Sequence, residues 1–591
     1  MTKPKPEMDP ALLAVLANRF DAIVREMTTT LLRTGRSAVI AVARDFSCAI
    51  ATADDQLLAA AEGLPVHVFG AHLQTAAIHK VHPEWREGDA FLDNDPYEAN
   101  THAGDHTIVV PVFCDGVHLF TTSAKAHQAD IGNSIPSSYH PFARDVYEEG
   151  ALIFSATQVQ RDYEDVGDVI RMCRRRIRVP DQWYGDYLAM LGAARIGERR
   201  LKEVVDKYGI EVVRQFIAEW LDYSERRMTA AIEKLPAIEL EAEGAHDPVG
   251  PLTEGMPVRA KVGVDPAAGR IEIDLRDNVD AVPAGLNETM VCSINNAVAG
   301  VLNALEPGIP VNSGSFRRLE VKLREGAVIG IPIHPASCSL ATTNVADRLI
   351  NVIQLAFSQI GEGHGLAEGG AVIGTGFSVI AGHDRRNDSP YINQLVVATN
   401  GGPGGPKADG WITYNAPGGA GLVYRNSIEI DEHKYPMRYR SLRLQADSGG
   451  AGRFRGAPAS TVEYGPTADP MSVAYSIDGY RGPARGARGG LSGSTGAAIQ
   501  IDGAGVESEA PTTAQLTLQP GEYLRGHHGG GGGYGDPRER DPELVREDLL
   551  EGYISADAAG DVYGVVFNGA VEDHSLAVDV AATRERREAL T

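Results

Sequence analysis

Cysteine is scarce in this sequence. Five residues in 591 (Cys48, Cys114, Cys173, Cys292 and Cys338) are odd in number and form no C-x-x-C pair. They exclude a disulfide framework and read as reduced thiols of a cytoplasmic protein. Basic charge is also in short supply. Lys and Arg number 55 against 79 Asp and Glu, leaving a net charge of −24. So acidic a surface repels phosphate backbones and argues against nucleic acid as a partner. No run approaches the ~18 apolar residues of a membrane span. The opening M-T-K-P-K-P-E-M-D-P has no apolar signal core. No membrane partner is expected. No Gly-Lys dipeptide occurs, so a P-loop is ruled out. G-x-S-x-G is missing too, and with it the nucleophile elbow of a serine hydrolase.

Glycine is abundant. There are 66 glycines and 33 prolines, and glycine exceeds the average usage of about 7%. With 43% hydrophobic and 23% charged residues, the chain reads as folded and rich in turns. Asp9-Pro10 opens a helix whose apolar residues recur from Leu12 to Leu31 and which Gly35 ends. Val39 to Ala51 reads as a strand, and a second helix follows Gly70. The pattern is helical over 182–234. Two alternating runs, V-R-A-K-V-G-V-D and R-I-E-I-D-L-R-D, read as strands around a turn at Pro266 to Gly269. Further helices are expected at 293–305 and 344–359.

The expected fold class is mixed α and β (α+β) and multi-domain. A metal-binding half with helices and a β-hairpin lies at the N-terminus, and a glycine-rich β region lies in the C-terminal half. The expected divisions are 1–180, an α/β region with the metal site; 181–235, helical; 236–367, mixed; 368–530, glycine-rich β; and 531–591, a glycine loop and helical tail. The run G-G-G-G-G at 529–533 satisfies a dinucleotide pattern trivially. It does not clearly follow a strand or open a helix, so it reads as a close-packed loop.

Chemistry concentrates at 93–130. Histidine and carboxylate crowd both ends of a hairpin turning at Asp115-Gly116. A two-residue loop there sets Asp105 opposite Ala126. A three-residue loop sets it opposite Lys125, diagonal to His127 and on the same face. Shared liganding favours the second register or an equivalent bulge. His102 must then swing round through the turn at Ala103-Gly104. Two imidazoles and a carboxylate make an open divalent-metal site of hydrolytic or lyase type. On the pattern alone, hydrogen-bonded loop residues are the alternative. His106 and His118 lie on the strands and read as structural. D-N-D-P-Y-E at 93–98 only mimics a calcium loop, because its sixth position is not glycine.

At these residues the sequence resembles the hydantoinase B/oxoprolinase family. The matching segments are R-D-F-S-C-A-I at 44–50, N-D-P-Y-E-A-N-T-H-A-G-D at 94–105, A-H-Q-A-D-I-G at 126–132, Y-E-E-G at 147–150, D-S-G-G-A-G-R-F-R-G at 447–456 and G-G-G-G-G-Y-G-D-P-R-E-R-D-P-E at 529–543. The resemblance implies a metal, zinc or manganese, on His102, Asp105 and His127, with Asp45 completing or supporting the site. It implies a B-type catalytic subunit of an ATP-dependent cyclic-amide hydrolase (hydantoin, lactam or oxoproline type). The expected complex is a hetero-oligomer in which an A-type ATPase subunit consumes the ATP and phosphorylates the substrate. Asp130 or Glu149 could take the proton in catalysis, or either could be a supporting carboxylate. A ketone carboxylase using the same metal is the alternative enzyme. A non-catalytic scaffold for the ATPase is the alternative outside catalysis. The shorter chain, without an evident insertion, favours hydrolase. Many relatives carry a second histidine where Gln128 stands here.

Overall fold

The structure is a computed structural model that describes residues 7–60, 63–250, 252–370, 374–419, 423–572 and 575–590. Residues 1–6, the first part of the segment read above as lacking a signal core, lie outside them. The fold is mixed α and β, as expected. By compactness the chain divides into two interleaved units. One comprises 1–239, 261–299 and 306–342, and the other 240–260, 300–305 and 343–591.

The first unit is built on helix α1 (Pro10–Thr34) and a seven-stranded sheet. Asp9 caps α1 by accepting the Ala11 N–H, with Pro10 in the first turn. The strands are β1 (Phe46–Thr52), β2 (Leu57–Ala59), β3 (Ala90–Asp93), β4 (Asp105–Cys114), β5 (Val117–His127), β6 (Thr157–Arg161) and β7 (Glu164–Asp165). They run in the order β2-β1-β5-β4-β3-β6-β7. The strand expected from Val39 begins only at Phe46. Residues Ala38–Ala41 form a helical turn, and Arg44 at φ 57° interrupts the extended run. Helix α2 (Ala71–Val81) follows Gly70 as expected. The helical stretch 182–234 is two helices, α3 (Pro180–Tyr208) and α4 (Ile210–Ile232), broken at Gly209 with φ 81°.

The two faces of this sheet differ in chemistry. Strand side chains alternate with period two. Leu92, Ile108, Ala124 and Cys48 are cross-strand neighbours. They join one apolar core with Phe20 and Met27 of α1 and with Trp183 and Met190 of α3. On the opposite face, Asp93, Thr107, Lys125 and Ser47 form a buried polar row across four strands.

The two alternating runs form the expected hairpin, with Asp265 paired to Arg270. Helices at Met290–Ala304 and Val345–Phe357 answer the remaining helical expectations.

In the second unit, residues 529–533 pack as a central loop segment hydrogen-bonded on several sides. Gly530 donates to the Ser494 carbonyl, Gly531 to Ala457, Gly532 to Glu368 and Gly533 to Leu491, while Gly401, Gly450, Gly404 and Ala487 donate back to the run. Successive residues thus bond to neighbours on different sides, which leaves no room for side chains. A Cβ on Gly530 would lie 1.6 Å from the Ser448 carbonyl oxygen. Gly530→Ala is expected to destabilise the protein by more than about 3 kcal/mol, since backbone cannot yield as a side chain can. Gly503→Ala, where a Cβ meets nothing within 4 Å, is the matched control. Equal denaturation midpoints for the two variants would contradict this packing account.

Candidate metal centre

Hairpin geometry delivers Asp105 and His127. Asp115 at φ 50° and Gly116 at φ 75° close the two-residue turn, the combination a type I′ turn needs. A bulge then shifts the register between Val112 and Phe113, leaving Leu119 as an extra residue. Asp105 consequently faces His127 directly. The expectation of a shared face holds. The expected pairing with Lys125 does not, because the bulge moves the register the other way.

His102 arrives through the turn at Ala103-Gly104, closed by the Asp105 N–H on the His102 carbonyl at 3.1 Å. The Asn100 side-chain amide donates to the carbonyls of His102 (2.7 Å) and Asp105 (2.9 Å) and fixes that turn. A Cβ on Gly104 would sit 2.5 Å from His102 Cε1 and 2.9 Å from His127 Cε1. Only glycine leaves room for both imidazoles.

Three atoms converge. Asp105 Oδ1 lies 3.0 Å from His102 Nε2 and 3.0 Å from His127 Nδ1, and the two nitrogens are 3.2 Å apart. All three residues are buried. These separations suit one ion at about 2.0–2.2 Å from each N or O donor. The outer nitrogens are held as well. His102 Nδ1 is 2.8 Å from the Ser339 carbonyl, which can only accept, so Nδ1 carries the proton and Nε2 is free to ligate. His127 Nε2 is 2.7 Å from Ser138 Oγ. The residues therefore fit a divalent ion.

Asp45 is not part of this cluster of three. It lies 3.8 Å from His67 Nε2, which in turn is 3.2 Å from Asp105 Oδ2. His67, from the buried helical turn Pro65–Val68, is the site residue that sequence reading missed. A lone histidine in P-V-H-V gives no signal. Asp130 is engaged by the Arg178 N–H, the Arg178 guanidinium and the Gly132 N–H. Glu149 is buried. Its Oε2 accepts from Ser337 at 2.9 Å, while Oε1 has no hydrogen-bond partner among the described residues. Gln128 donates to the Ala126 carbonyl. His106 accepts from Trp183 Nε1, and burial pushes its pKa down to about 3, in keeping with a structural role.

Burial pushes the Asp105 carboxyl up. The charges of His102 and His67 and the hydrogen bonds from His102 and His127 more than offset this and hold it well below its ordinary value. Burial pushes His102 down, but Asp105 and the Ser339 carbonyl leave it raised. Burial raises Glu149, against the hydrogen bonds from Ser337 and Ser339.

The sequence profile of the hydantoinase B/oxoprolinase family matches residues 9–537. The chain is 30% identical over 589 residues to the beta subunit of the caprolactamase of Pseudomonas jessenii, covering 98% of this chain and 99% of that one. The crystal structure of the ATP-dependent caprolactamase from that organism superposes with a TM-score of 0.89 at 28% identity, over 99% of this chain and 100% of that one. The B-type subunit of a putative D-/L-hydantoinase from Pseudomonas sp. strain NS671 is 27% identical over 605 residues, 98% of each chain. Nucleotide-free acetone carboxylase shares the fold, with a TM-score of 0.87 at 18% identity over 98% of this chain and 83% of that one.

The shifts of His102 and Asp105 set a pH dependence. The raised His102 contributes stability that is fully present below about pH 6.5 and is lost as pH rises through its folded value. The lowered Asp105 contributes above about pH 3.9 and loses this as pH falls. The metal-free pair is therefore strongest between roughly pH 4 and 6.5. Metal binding needs a neutral imidazole and strengthens as pH rises. The melting temperature of chelator-treated protein should fall from pH 6 to pH 8.5, while the gain from added zinc or manganese grows. Two flat profiles would count against this charge assignment.

Proposed function

The chain belongs to the hydantoinase B/oxoprolinase family, and on that premise we propose that it is the metal-dependent catalytic subunit of an ATP-dependent cyclic-amide hydrolase. Its partner is an A-type ATPase subunit, its substrate a small lactam or hydantoin, and its location the cytoplasm. The carrying observation is the buried cluster of His102, Asp105 and His127 in a chain that lacks a P-loop. The chain offers ligands for a hydrolytic ion and no G-x-x-x-x-G-K-[ST] motif.

Amide resonance protects an unstrained lactam, so prior phosphorylation of its oxygen by the partner is the activating event. An ion held by His102, Asp105 and His127, with Asp45 a further ligand or support, would supply Lewis acidity and lower the pKa of water. Zinc and manganese both suit this donor set. Ser339 and Ser138 keep the two imidazoles oriented. Glu149 takes the proton. Its unpartnered Oε1 and its burial beside the Ser337–Ser339 segment support that role. Asp130, neutralised by Arg178, supports the loop instead. The fold shared with acetone carboxylase keeps ketone carboxylation as the second reading.

The test combines purified chain, ATPase partner and ATP with a lactam or hydantoin, or with a ketone plus bicarbonate. Ring opening is expected, and carboxylation without ring opening would overturn the proposal. The isolated chain should not hydrolyse ATP. Glu149→Gln should lower kcat by about 10²–10⁴ while metal content is unchanged. His127→Ala should lose the metal and keep the fold. Asp130→Asn should instead cost about 3 kcal/mol of stability.

A further inference from the structure

Lys125 is a fully buried lysine, a rare placement for an ammonium group. It lies in the middle of the polar row, and among the described residues it makes no ion pair within 4 Å. Its Nζ is 3.3 Å from Thr101 Oγ1. Thr101 Oγ1 is 2.5 Å from Asp105 Oδ2. Lysine can only donate, so the Thr101 hydroxyl must accept from it, and the hydroxyl proton is left to point at Asp105. Thr101 itself is anchored. Its carbonyl accepts from the Thr289 hydroxyl at 3.1 Å and from the Cys292 thiol at 3.2 Å.

We propose that Lys125 and Thr101 form a positioning relay that holds Asp105 Oδ2 and so presents Oδ1 to the two imidazoles and the ion. Neither residue touches the ion. With His67 as the second donor on Oδ2, the carboxylate is clamped from behind and can ligate through one oxygen only. The clamp also explains the cost accepted in burying Lys125. Its Nζ donor occupies the Thr101 oxygen and so sets the direction of the Thr101 hydroxyl. The inference rests on the metal-centre reading above and deepens it.

The test titrates metal-free protein with zinc and with manganese, needing neither substrate nor partner. Thr101→Val should weaken binding about 10–100-fold, the usual effect of losing a ligand's outer hydrogen bond. Thr101→Ser, which keeps the hydroxyl, should bind as wild type. Lys125→Met should show the same loss as Thr101→Val, and the double variant no further loss, because the relay is one unit. Unchanged affinity in Thr101→Val or Lys125→Met overturns the relay. Additive losses overturn it as well. Should Thr101→Val not fold, Lys125→Met alone decides. Should wild-type protein bind neither ion, the function proposed above fails. The relay is then decided by melting temperatures of the same metal-free variants, where additive decrements would sink it.

Discussion

Everything at this centre answers to one buried anion. Taking an ionised carboxylate out of water costs several kcal/mol unless charges and hydrogen bonds replace the lost solvent. Asp105 is fully buried and stays ionised because donors reach both oxygens. His102 and His127 meet Oδ1, and Thr101 and His67 meet Oδ2. Each partner comes from a different local device. The β4–β5 register supplies His127, the Gly104 turn supplies His102, and the helical turn Pro65–Val68 supplies His67. Loss of any one leaves the charge under-compensated and loosens the others.

The sheet makes this possible by keeping its two faces separate. One face is apolar and sealed by α1 and α3. The other carries the polar row and, two residues along, the Asp105–His127 pair. A slip of one residue would push Asp105 into the apolar core and bring His106 to the centre. The bulge at Leu119 therefore decides which residues meet across the strands. It converts the register of a tight two-residue turn into the one that sets Asp105 opposite His127.

Local patterns made much of this legible. The Asp9-Pro10 cap, the break at Gly35, the Asp-Gly turn and the period-two strands each depend on neighbours in sequence. So did the convergence of His102, Asp105 and His127, because a hairpin and a turn bring them together. Lys125 was within reach too, since it sits two residues before His127 on the same strand face. His67 was not, because its placement depends on how the turn Pro65–Val68 docks on β1, where Ser47 lies 3.3 Å from its Nδ1. The partner of Asp130 was equally hidden, 48 residues along the chain in Arg178. The glycine run read as close-packed, but that it bonds on several sides at once is a long-range property that composition does not carry.

Two buried carboxylates end up with opposite characters. Asp105 is saturated with donors, and its affinity for a proton is driven down. Glu149 has one oxygen bonded to Ser337 and one with no partner among the described residues, and burial drives its proton affinity up. They are linked through Ser337–Ser339, because Ser337 donates to Glu149 while Ser339 accepts from His102. A group that must hold an ion has to remain an anion across the working pH range. A group that must take up and release a proton needs the higher pKa and a free lone pair. On the proposed function, Asp105 meets the first requirement through the charges of His102 and His67 and its hydrogen bonds, and Glu149 meets the second through burial.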